Sequence, residues 1–399
     1  METIKRIGDK EREYVNEVLN NSFSNSSSYK MVKRLEDEFA KKFGAKYAVA
    51  FCNGTATLHI ALEAAGVGLG DEVIVPPLTM SATTFAVFHA NAIPVFADVD
   101  PDTFEISADS IEAKITPRTK AIIPVSLYGL APDMDCIMEI AKKHNLVVIE
   151  DDAQCFLGKY KGRMVGTIGD LASFSFQSSK HMTSGEGGMI LTNDEQLALK
   201  VRKYSSMGYA GIDTKKGKIS KTDIQDPDYD RHVTLGWNYR MSDLNAAVCL
   251  GQLESLDVLV ERRREIAKLY DEIVKDCSWL IPQKVTKDYE NAYWTYVVRL
   301  DHPNITWREF RDKYLEFGGD GIYAAWKLTY LEPFFKNWSF LGREKFIRDY
   351  GDYSYEEGIC PVAEKLQPRL LQFKTNYWNA EVIEKKMDAL KKTIDYFNK

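Results

Sequence analysis

A lysine at position 180 stands in surroundings unlike those of a solvated lysine. It follows an apolar run at 171–176 and lies among serines, threonines and glycines as far as position 188. A partly buried lysine has a lowered pKa and becomes a nucleophile that can form an imine. The glycines let the backbone pass close to a ligand. A single lysine of this kind is more often structural than catalytic, so further groups must accompany it.

Acidic residues end a second apolar run. Glu150, Asp151 and Asp152 close or follow the run LVVIE at 146–150. Buried carboxylates are costly unless a cation or a metal faces them. A protonated pyridine nitrogen is one such cation, and a carboxylate facing it keeps the ring an electron sink. Two alternatives are open: capping of a following helix, which fits Asp151 or Asp152 but not both equally well, and a metal site, for which no nearby histidine completes a ligand set.

The segment NGTA at 53–56 is a candidate phosphate site. It lies between an apolar run at 47–51 and a helical pattern at 55–65. A Gly-Thr pair that opens a helix offers backbone N–H groups, a hydroxyl and the positive end of the helix dipole. The alternative is that Thr55 is a plain N-cap.

Short apolar runs separated by helical patterns must position these three groups. Nearly continuous apolar strands between helices are typical of a sheet buried on both faces, so we expect an α/β fold with a mostly parallel sheet. Ligands collect beyond the carboxyl ends of such strands, where all three groups lie. The last two strands follow each other closely and could be joined differently from the rest. The predicted strands are 47–51, 72–75, 93–97, 120–125, 146–150, 171–176 and 188–192.

The flanking segments predict an N-terminal arm and a smaller C-terminal α/β domain, with the division at 260/261. Few apolar anchors occur at 213–232, so this charged insertion is expected to be a loop. The other predicted elements are helices at 9–20 and 29–43, a Ser/Asn-rich loop at 20–28, a long helix from Ser242 towards Cys277, a strand at 292–300, and helices at 307–317 and 380–398.

Composition narrows the classes of function. The 399 residues have a formal net charge of −6, which argues against nucleic acid or an anionic membrane as the main partner. No run of 18 apolar residues and no signal-peptide core occurs. The six cysteines form no CxxC pair, which suits neither a zinc site nor a disulfide framework. We therefore expect a cytoplasmic protein without a metal.

Six ordered motifs resemble the DegT/DnrJ/EryC1/StrS family of sugar aminotransferases, which use pyridoxal 5′-phosphate (PLP) and have the fold-type-I architecture. The similarity covers most of the chain. It implies an α/β, aspartate-aminotransferase-like fold and a homodimer with shared active sites. The motifs are LEDEFA at 35–40, the Gly-Thr turn at 54–55, IEDDAQ at 149–154, SFSFQSSK at 173–180, TSGEGG at 183–188 and GWNYRMS at 236–242.

The resemblance also implies roles for single residues. Lys180 would bind the cofactor as a Schiff base and shuttle the proton during transfer. Asp151 would pair with the pyridine nitrogen, and Gln154 would lie near the phenolic oxygen. Residues expected to hold the phosphate are Thr55, Ser175, the backbone of Gly54 and Ala56, and Asn238 from the second subunit.

Three features depart from the family pattern. Met80 occupies the position where the family places an aromatic ring over the cofactor, and methionine can still pack on a ring. Gln177 and Ser178 replace the common His-Pro before the lysine. The substrate loop at 321–330 lacks the usual histidine, and its candidate sugar contacts are Trp326, Lys327 and Tyr330.

The expected reaction is transfer of an amino group from an amino acid, L-glutamate being the expected donor, to a nucleotide-linked keto-deoxysugar in cell-surface polysaccharide biosynthesis. Alternative acceptors are a free keto-sugar of the octulosonate type and a keto-cyclitol. A PLP-dependent sugar dehydratase would carry histidine in place of Lys180, whereas here His181 only follows it. An iron–sulfur dehydratase would need clustered cysteines as cluster ligands, and the six cysteines of this chain are scattered. A non-catalytic regulator is the rival from another class.

Overall fold

The computed structural model describes residues 2–21, 23, 30–214, 221–321 and 323–399. Most of the predicted loop at 20–28, residues 215–220 of the charged insertion and residue 322 of the 321–330 loop therefore lie outside the described residues. The helices are α1 (Asp9–Asn20), α2 (Lys30–Phe43), α3 (Gly54–Ala64), α4 (Ala82–His89), α5 (Ala108–Lys114), α6 (Met134–His144), α7 (Glu195–Ser205), α8 (Lys221–Gln225), α9 (Asp243–Glu254), α10 (Leu256–Val274), α11 (Trp307–Glu316), α12 (Pro333–Lys336), α13 (Glu344–Tyr350), α14 (Pro361–Leu366) and α15 (Ala380–Phe397).

The strands form one large sheet and two small ones. The large sheet has the order β1-β9-β8-β5-β4-β2-β3. The strands are β1 (Tyr47–Phe51), β2 (Glu72–Val75), β3 (Ile93–Phe96), β4 (Thr119–Ile122), β5 (Val147–Asp151), β6 (Lys159–Tyr160), β7 (Arg163–Met164), β8 (Leu171–Ser175), β9 (Gly188–Thr192), β10 (Leu280–Pro282), β11 (Tyr289–Glu290), β12 (Thr295–Leu300), β13 (Tyr323–Ala324) and β14 (Leu370–Lys374).

The large sheet is parallel except at β9. Strands β3, β2, β4, β5 and β8 run parallel to one another, whereas β9 is antiparallel to both β1 and β8. This confirms the predicted mostly parallel α/β fold. It also settles how 171–176 and 188–192 are joined: they form an antiparallel pair, and the loop between them contains Lys180.

The strands of the large sheet are continuous apolar runs in the sequence because they are buried. All residues of β2, β8 and β9 are buried, because helices cover both faces of the sheet. Helix α3 is apolar nearly all round and is buried along its length. The sheet therefore forms a rigid layer between two hydrophobic cores, and the loops at its edge are positioned by it.

A smaller sheet lies in the C-terminal part, in the order β10-β12-β14-β13. Its core includes Phe373 of β14, Phe310 of α11 and Leu390 of α15. The expected division at 260/261 stays a prediction, and that position falls inside α10. The predicted long helix is two helices: Ser255 ends α9 with a non-helical conformation, and α10 starts at the next residue.

The described part of the charged insertion contains only the short helix α8. Within the described residues, no helix is both long and apolar enough to cross a membrane.

Candidate active site

A cavity of about 320 Å³ opens at the carboxyl ends of β5 and β8. Asp151 is the last residue of β5 and Ser175 is the last residue of β8. Of the predicted site residues, the cavity brings together Gly54, Thr55, Met80, Asp151, Gln154, Ser175, Lys180 and Trp326; its other lining residues include Thr79, Thr83, Gln177, Ser179, Glu186 and Trp294.

The amine of Lys180 lies inside this cavity. Its Nζ is 4.8 Å from the centre of the Trp294 ring, within the range of a cation–π contact. Burial lowers the pKa of Lys180 to about 8; the Asp151 carboxylate raises this pKa and the Arg263 guanidinium lowers it. At pH 7 about a tenth of the amine is therefore unprotonated and nucleophilic, far more than for an exposed lysine.

The backbone around Lys180 is held by groups from distant parts of the chain. Arg6 donates to the carbonyl oxygens of Ser178 (2.7 Å) and Lys180 (2.9 Å). Arg263 donates to the carbonyls of Ser179 and Lys180, both at 3.2 Å. The indole Nε1 of Trp294 also donates to the Ser179 carbonyl, at 3.1 Å. Three successive carbonyls are thus bound, which fixes the direction of the lysine side chain.

Of the three consecutive acids at 150–152, Asp151 is the one that lines the cavity. Its Oδ2 accepts a hydrogen bond from Thr83 Oγ1 at 2.9 Å, and its Oδ1 accepts from the Ala153 N–H at 3.3 Å. Burial raises the pKa of Asp151, and these hydrogen bonds and Lys180 oppose the rise. A cationic group of a ligand would stabilise the ionised carboxylate here.

The two neighbouring acids have other partners. Glu150 accepts from the backbone N–H groups of Gly166 and Gly169, and Asp152 accepts from Ser126. A turn and then β6 follow, so the helix-capping alternative for these acids is wrong. Among the described residues, no group of three His, Cys, Asp or Glu side chains could hold a metal ion.

The start of α3 forms the other end of the cavity. The N-cap is Asn53, whose Oδ1 accepts the Ala56 N–H at 2.8 Å, so the capping alternative for Thr55 is wrong. The Ala56 N–H, expected to hold phosphate, is thereby occupied. Gly54 and Thr55 lie in the first turn, where backbone donors have no partner within the helix. A Cβ on Gly54 would lie 2.8 Å from that of Ser175, so only glycine fits this close approach.

Gln154 is buried, and its amide is oriented by one hydrogen bond. Its Oε1 accepts the backbone N–H of Tyr128 at 2.8 Å. Tyr128 has a φ of 62°, a left-handed conformation that is uncommon for a bulky residue. Because the amide oxygen is engaged, the Nε2 group remains as a donor for an oxyanion in the cavity.

Three of the predicted contacts lie elsewhere. Tyr330 is fully buried, packs 5.2 Å from the Phe96 ring and donates to Glu364, so the structure places it in the core under the large sheet and not in the cavity. Lys327 is exposed and does not line the cavity, whereas the neighbouring Trp326 does. Asn238 is also exposed and lies outside the cavity of its own chain.

Sequence reasoning missed Trp294, Thr79, Thr83 and Glu186. Trp294 immediately precedes β12. It belongs to a run of aromatic residues with the pattern of an ordinary strand, so the sequence pattern does not mark it as a site residue. Thr79 and Thr83 are one helical turn apart, and their hydroxyls lie 3.2 Å from each other. A threonine pair at this spacing after β2 is the only signal that could have indicated a partner for Asp151.

The arrangement fits one class of ligand. The ligand would carry an aldehyde for the nucleophilic amine of Lys180 and a protonated ring nitrogen for the buried Asp151 carboxylate. It would carry a phosphate, on the same molecule, for the free N–H donors at the start of α3. His181 does not take part, because its ring is buried, its Nε2 lies 2.9 Å from the Ala292 carbonyl and burial holds its pKa well below the usual value.

Known proteins resemble the chain in sequence. GDP-perosamine synthase from Escherichia coli O157:H7 is 42% identical over 285 residues, which are 71% of this chain and 73% of that protein. A putative L-glutamine:3-amino-2,3-dideoxy-scyllo-inosose aminotransferase from Streptoalloteichus tenebrarius is 36% identical over 342 residues, 82% of this chain and 77% of the relative.

The fold is also similar to solved structures. An aminotransferase from Psychrobacter cryohalolentis superposes with a TM-score of 0.85 at 30% identity, covering 98% of this chain and 97% of the other. The model of the DegT/DnrJ/EryC1/StrS aminotransferase family matches residues 5–337. The chain therefore belongs to the DegT/DnrJ/EryC1/StrS aminotransferase family, whose cofactor is PLP.

Proposed function

We propose that the chain transfers an amino group from L-glutamate to a nucleotide-linked keto-deoxysugar. The observation that carries the proposal is that one cavity contains both the Lys180 amine, with a pKa of about 8, and the buried Asp151 carboxylate. The sugar acceptor is supported by similarity to a GDP-perosamine synthase.

The bound cofactor supplies an electron sink that lets a C–H bond next to nitrogen lose its proton. Lys180 is the group that takes and returns this proton at its Nζ, since a pKa of about 8 keeps both protonation states accessible near neutral pH. Asp151 would keep the ring nitrogen of the bound cofactor protonated, and Thr83 orients the Asp151 carboxylate.

The remaining residues bind and orient. The N–H groups of Gly54 and Thr55, with the Ser175 hydroxyl, hold the phosphate at the start of α3. Gln154, whose Oε1 is already bound by the Tyr128 N–H, would donate through Nε2 to the phenolic oxygen of the cofactor. Met80 lines the cavity and is half exposed, and it would pack on the ring of the bound cofactor.

Trp326 is the proposed sugar contact from the small-domain side, and Trp294 restricts access of water to Lys180.

We also propose a homodimer in which Asn238 of the second copy completes each phosphate site. The six free cysteines support a reducing, cytoplasmic location, and the sugar product would enter cell-surface polysaccharide such as O-antigen.

The test uses the absorbance of the bound cofactor in purified enzyme. L-Glutamate should bleach the band, and a keto-sugar acceptor should restore it. A panel of GDP-linked, UDP-linked and free keto-sugars, with a keto-cyclitol, identifies the acceptor; the similarity to a scyllo-inosose aminotransferase makes the cyclitol a necessary member.

Lys180→Ala should stop turnover, whereas Lys161→Ala, at an exposed lysine outside the cavity, should not. A band that no amino acid changes would contradict the proposal and favour a binding-only protein. Consumption of a sugar without amino transfer would favour the dehydratase alternative.

A further inference from the structure

A second cavity of about 230 Å³ adjoins the candidate active site. Three residues, Ser179, Trp294 and Trp326, line both cavities. The two indole rings lie 6.1 Å apart, centre to centre. The second cavity therefore begins where the lysine loop and the proposed sugar contact meet. Its other lining residues are Arg263, Thr295, Gln372, Lys374 and Asn376.

The pairing of β12 with β14 in the small sheet places polar side chains in this cavity. Thr295 of β12 pairs directly with Lys374 of β14. Gln372 precedes Lys374 by two positions, so both side chains project from the same face of the sheet. A single face thus presents a hydroxyl, an amide and an ammonium group towards the large domain.

The lining contains two cationic residues and no acidic one. Arg263 is 1% exposed, and its guanidinium donates to neutral acceptors: the carbonyls of Trp294, Ser179 and Lys180 and the Thr375 hydroxyl. Its Nε has no acceptor among the described residues. Burial lowers the pKa of Arg263 to about 9, and the nearby Arg6 guanidinium contributes to the lowering.

The cationic groups at and beside the cavity are Lys374 and two guanidinium groups. Lys374 lies 3.5 Å from Asp320, but the same carboxylate also binds Lys386 at 2.7 Å. Arg263 is buried and the neighbouring Arg6 is partly buried, and both guanidinium groups donate to backbone carbonyls of the lysine loop. A buried cation without a counter-charge costs several kcal/mol, and a bound anion would offset this cost.

We infer that the second cavity is a subsite for an acidic group, a carboxylate or a phosphate, on a substrate whose reacting atom lies beside Lys180. The inference rests on the proposed function for the identity of the substrate. Two substrates could supply the group: the carboxylate of the amino donor, or a phosphate of the nucleotide-linked sugar. The indoles of Trp294 and Trp326 would contact the apolar stem between the acidic group and the reacting carbon.

The first experiment measures anion binding alone. Inorganic phosphate is titrated into the holoenzyme by calorimetry, since bound cofactor fills the phosphate site at Gly54. Lys374→Gln and Asn376→Leu should each weaken binding, the lysine variant by about tenfold, because a charge-assisted hydrogen bond is lost. Lys392→Gln, at an exposed lysine on α15 that pairs with Asp388, is the matched control and should bind as the wild type does.

The second experiment identifies the source of the anion by following each half-reaction separately. If Lys374→Gln raises the half-saturating concentration of L-glutamate alone, the subsite takes the donor carboxylate. If it raises only that of the nucleotide-linked keto-sugar, the subsite takes a phosphate. Unchanged values in both half-reactions together with unchanged phosphate binding would overturn the inference. A wild-type enzyme that reacts with no amino acid would refute the proposed function, whereas the calorimetric result would still decide whether the anion subsite exists.

Discussion

The pKa of Lys180 is set by burial and by two neighbouring charges, one of which raises it while the other lowers it. Burial and the Arg263 guanidinium favour the neutral amine, and Asp151 favours the ammonium form. The result is a pKa of about 8 in place of the 10.5 of an exposed lysine. The neutral, nucleophilic fraction therefore grows as the pH rises through about 8.

This shift predicts how the apoenzyme takes up its cofactor. The rate of PLP addition to Lys180, followed by absorbance after mixing, should rise with pH and level off above a midpoint near 8. Asp151→Asn should move the midpoint lower, because the charge that stabilises the ammonium form is removed. A midpoint above 10 in the wild type would show that the amine is solvated and would contradict the site described above.

At the scale of elements, one buried ion pair joins α2, α7 and β1. Arg202 donates to both carboxylate oxygens of Glu36, at 3.1 and 2.9 Å, and to the Ala48 carbonyl. Glu36 also accepts the Ala50 N–H at 3.0 Å. Both side chains are almost completely buried. The pair therefore sets the position of β1, from which the chain enters the phosphate-binding turn at Gly54.

Breaking this pair should destabilise the protein strongly. Glu36→Gln leaves a buried guanidinium without its counter-charge, for which we expect a loss of about 3–5 kcal/mol in the free energy of unfolding, measured by chemical denaturation. The exposed pair of Lys33 and Asp37 on the same helix is the control, and Lys33→Gln should cost less than about 0.5 kcal/mol. An equal effect at both positions would show that the buried pair has no special role.

Periodicity predicts most elements of this fold, and the reasons for its failures are local. Strand β1 and strand β9 have the predicted bounds, because a fully buried strand must be apolar throughout. The break at Ser255 is not predictable, since apolar positions continue across it and only the turn between α9 and α10 interrupts the helix. The short strands β6, β7 and β11 have too few residues to show a pattern.

The candidate site also contains some residues that the sequence predicts and others that it does not. Asp151 ends a strand, and Gln154 and Lys180 follow strands, so all three lie near strand ends that can be located from the sequence. Tyr330 and Trp326 are four residues apart, yet one lies in the core and the other in the cavity. Their loop has no periodicity that could separate them, so only the packing of the folded chain decides which side chain faces the ligand.

At the scale of the whole molecule, the segment around Asn238 combines an exposed polar residue with exposed apolar side chains. Asn238 is exposed and does not line the cavity of its own chain. Nearby, Val233 is 54% exposed and Leu235 is 79% exposed. Exposed apolar side chains beside an exposed polar residue are typical of an interaction surface. These features support the proposed second copy.

Mixing two inactive variants tests the shared site. Lys180→Ala and Asn238→Ala homodimers are unfolded together, refolded and assayed. In a hybrid dimer one site has both native residues, so about a quarter of wild-type activity should return after statistical mixing. A mixture no more active than the separately refolded variants would contradict a contribution of Asn238 to the neighbouring site.

The three carbonyls around Lys180 are bound by Arg6, Arg263 and Trp294, so residues from both halves of the polypeptide determine the shape of one short loop. During synthesis on the ribosome, Lys180 is added to the chain long before Arg263 and Trp294. We therefore expect vitamin B6 loading to follow the completion of synthesis, and nascent chains ending before position 294 to leave the loop unformed.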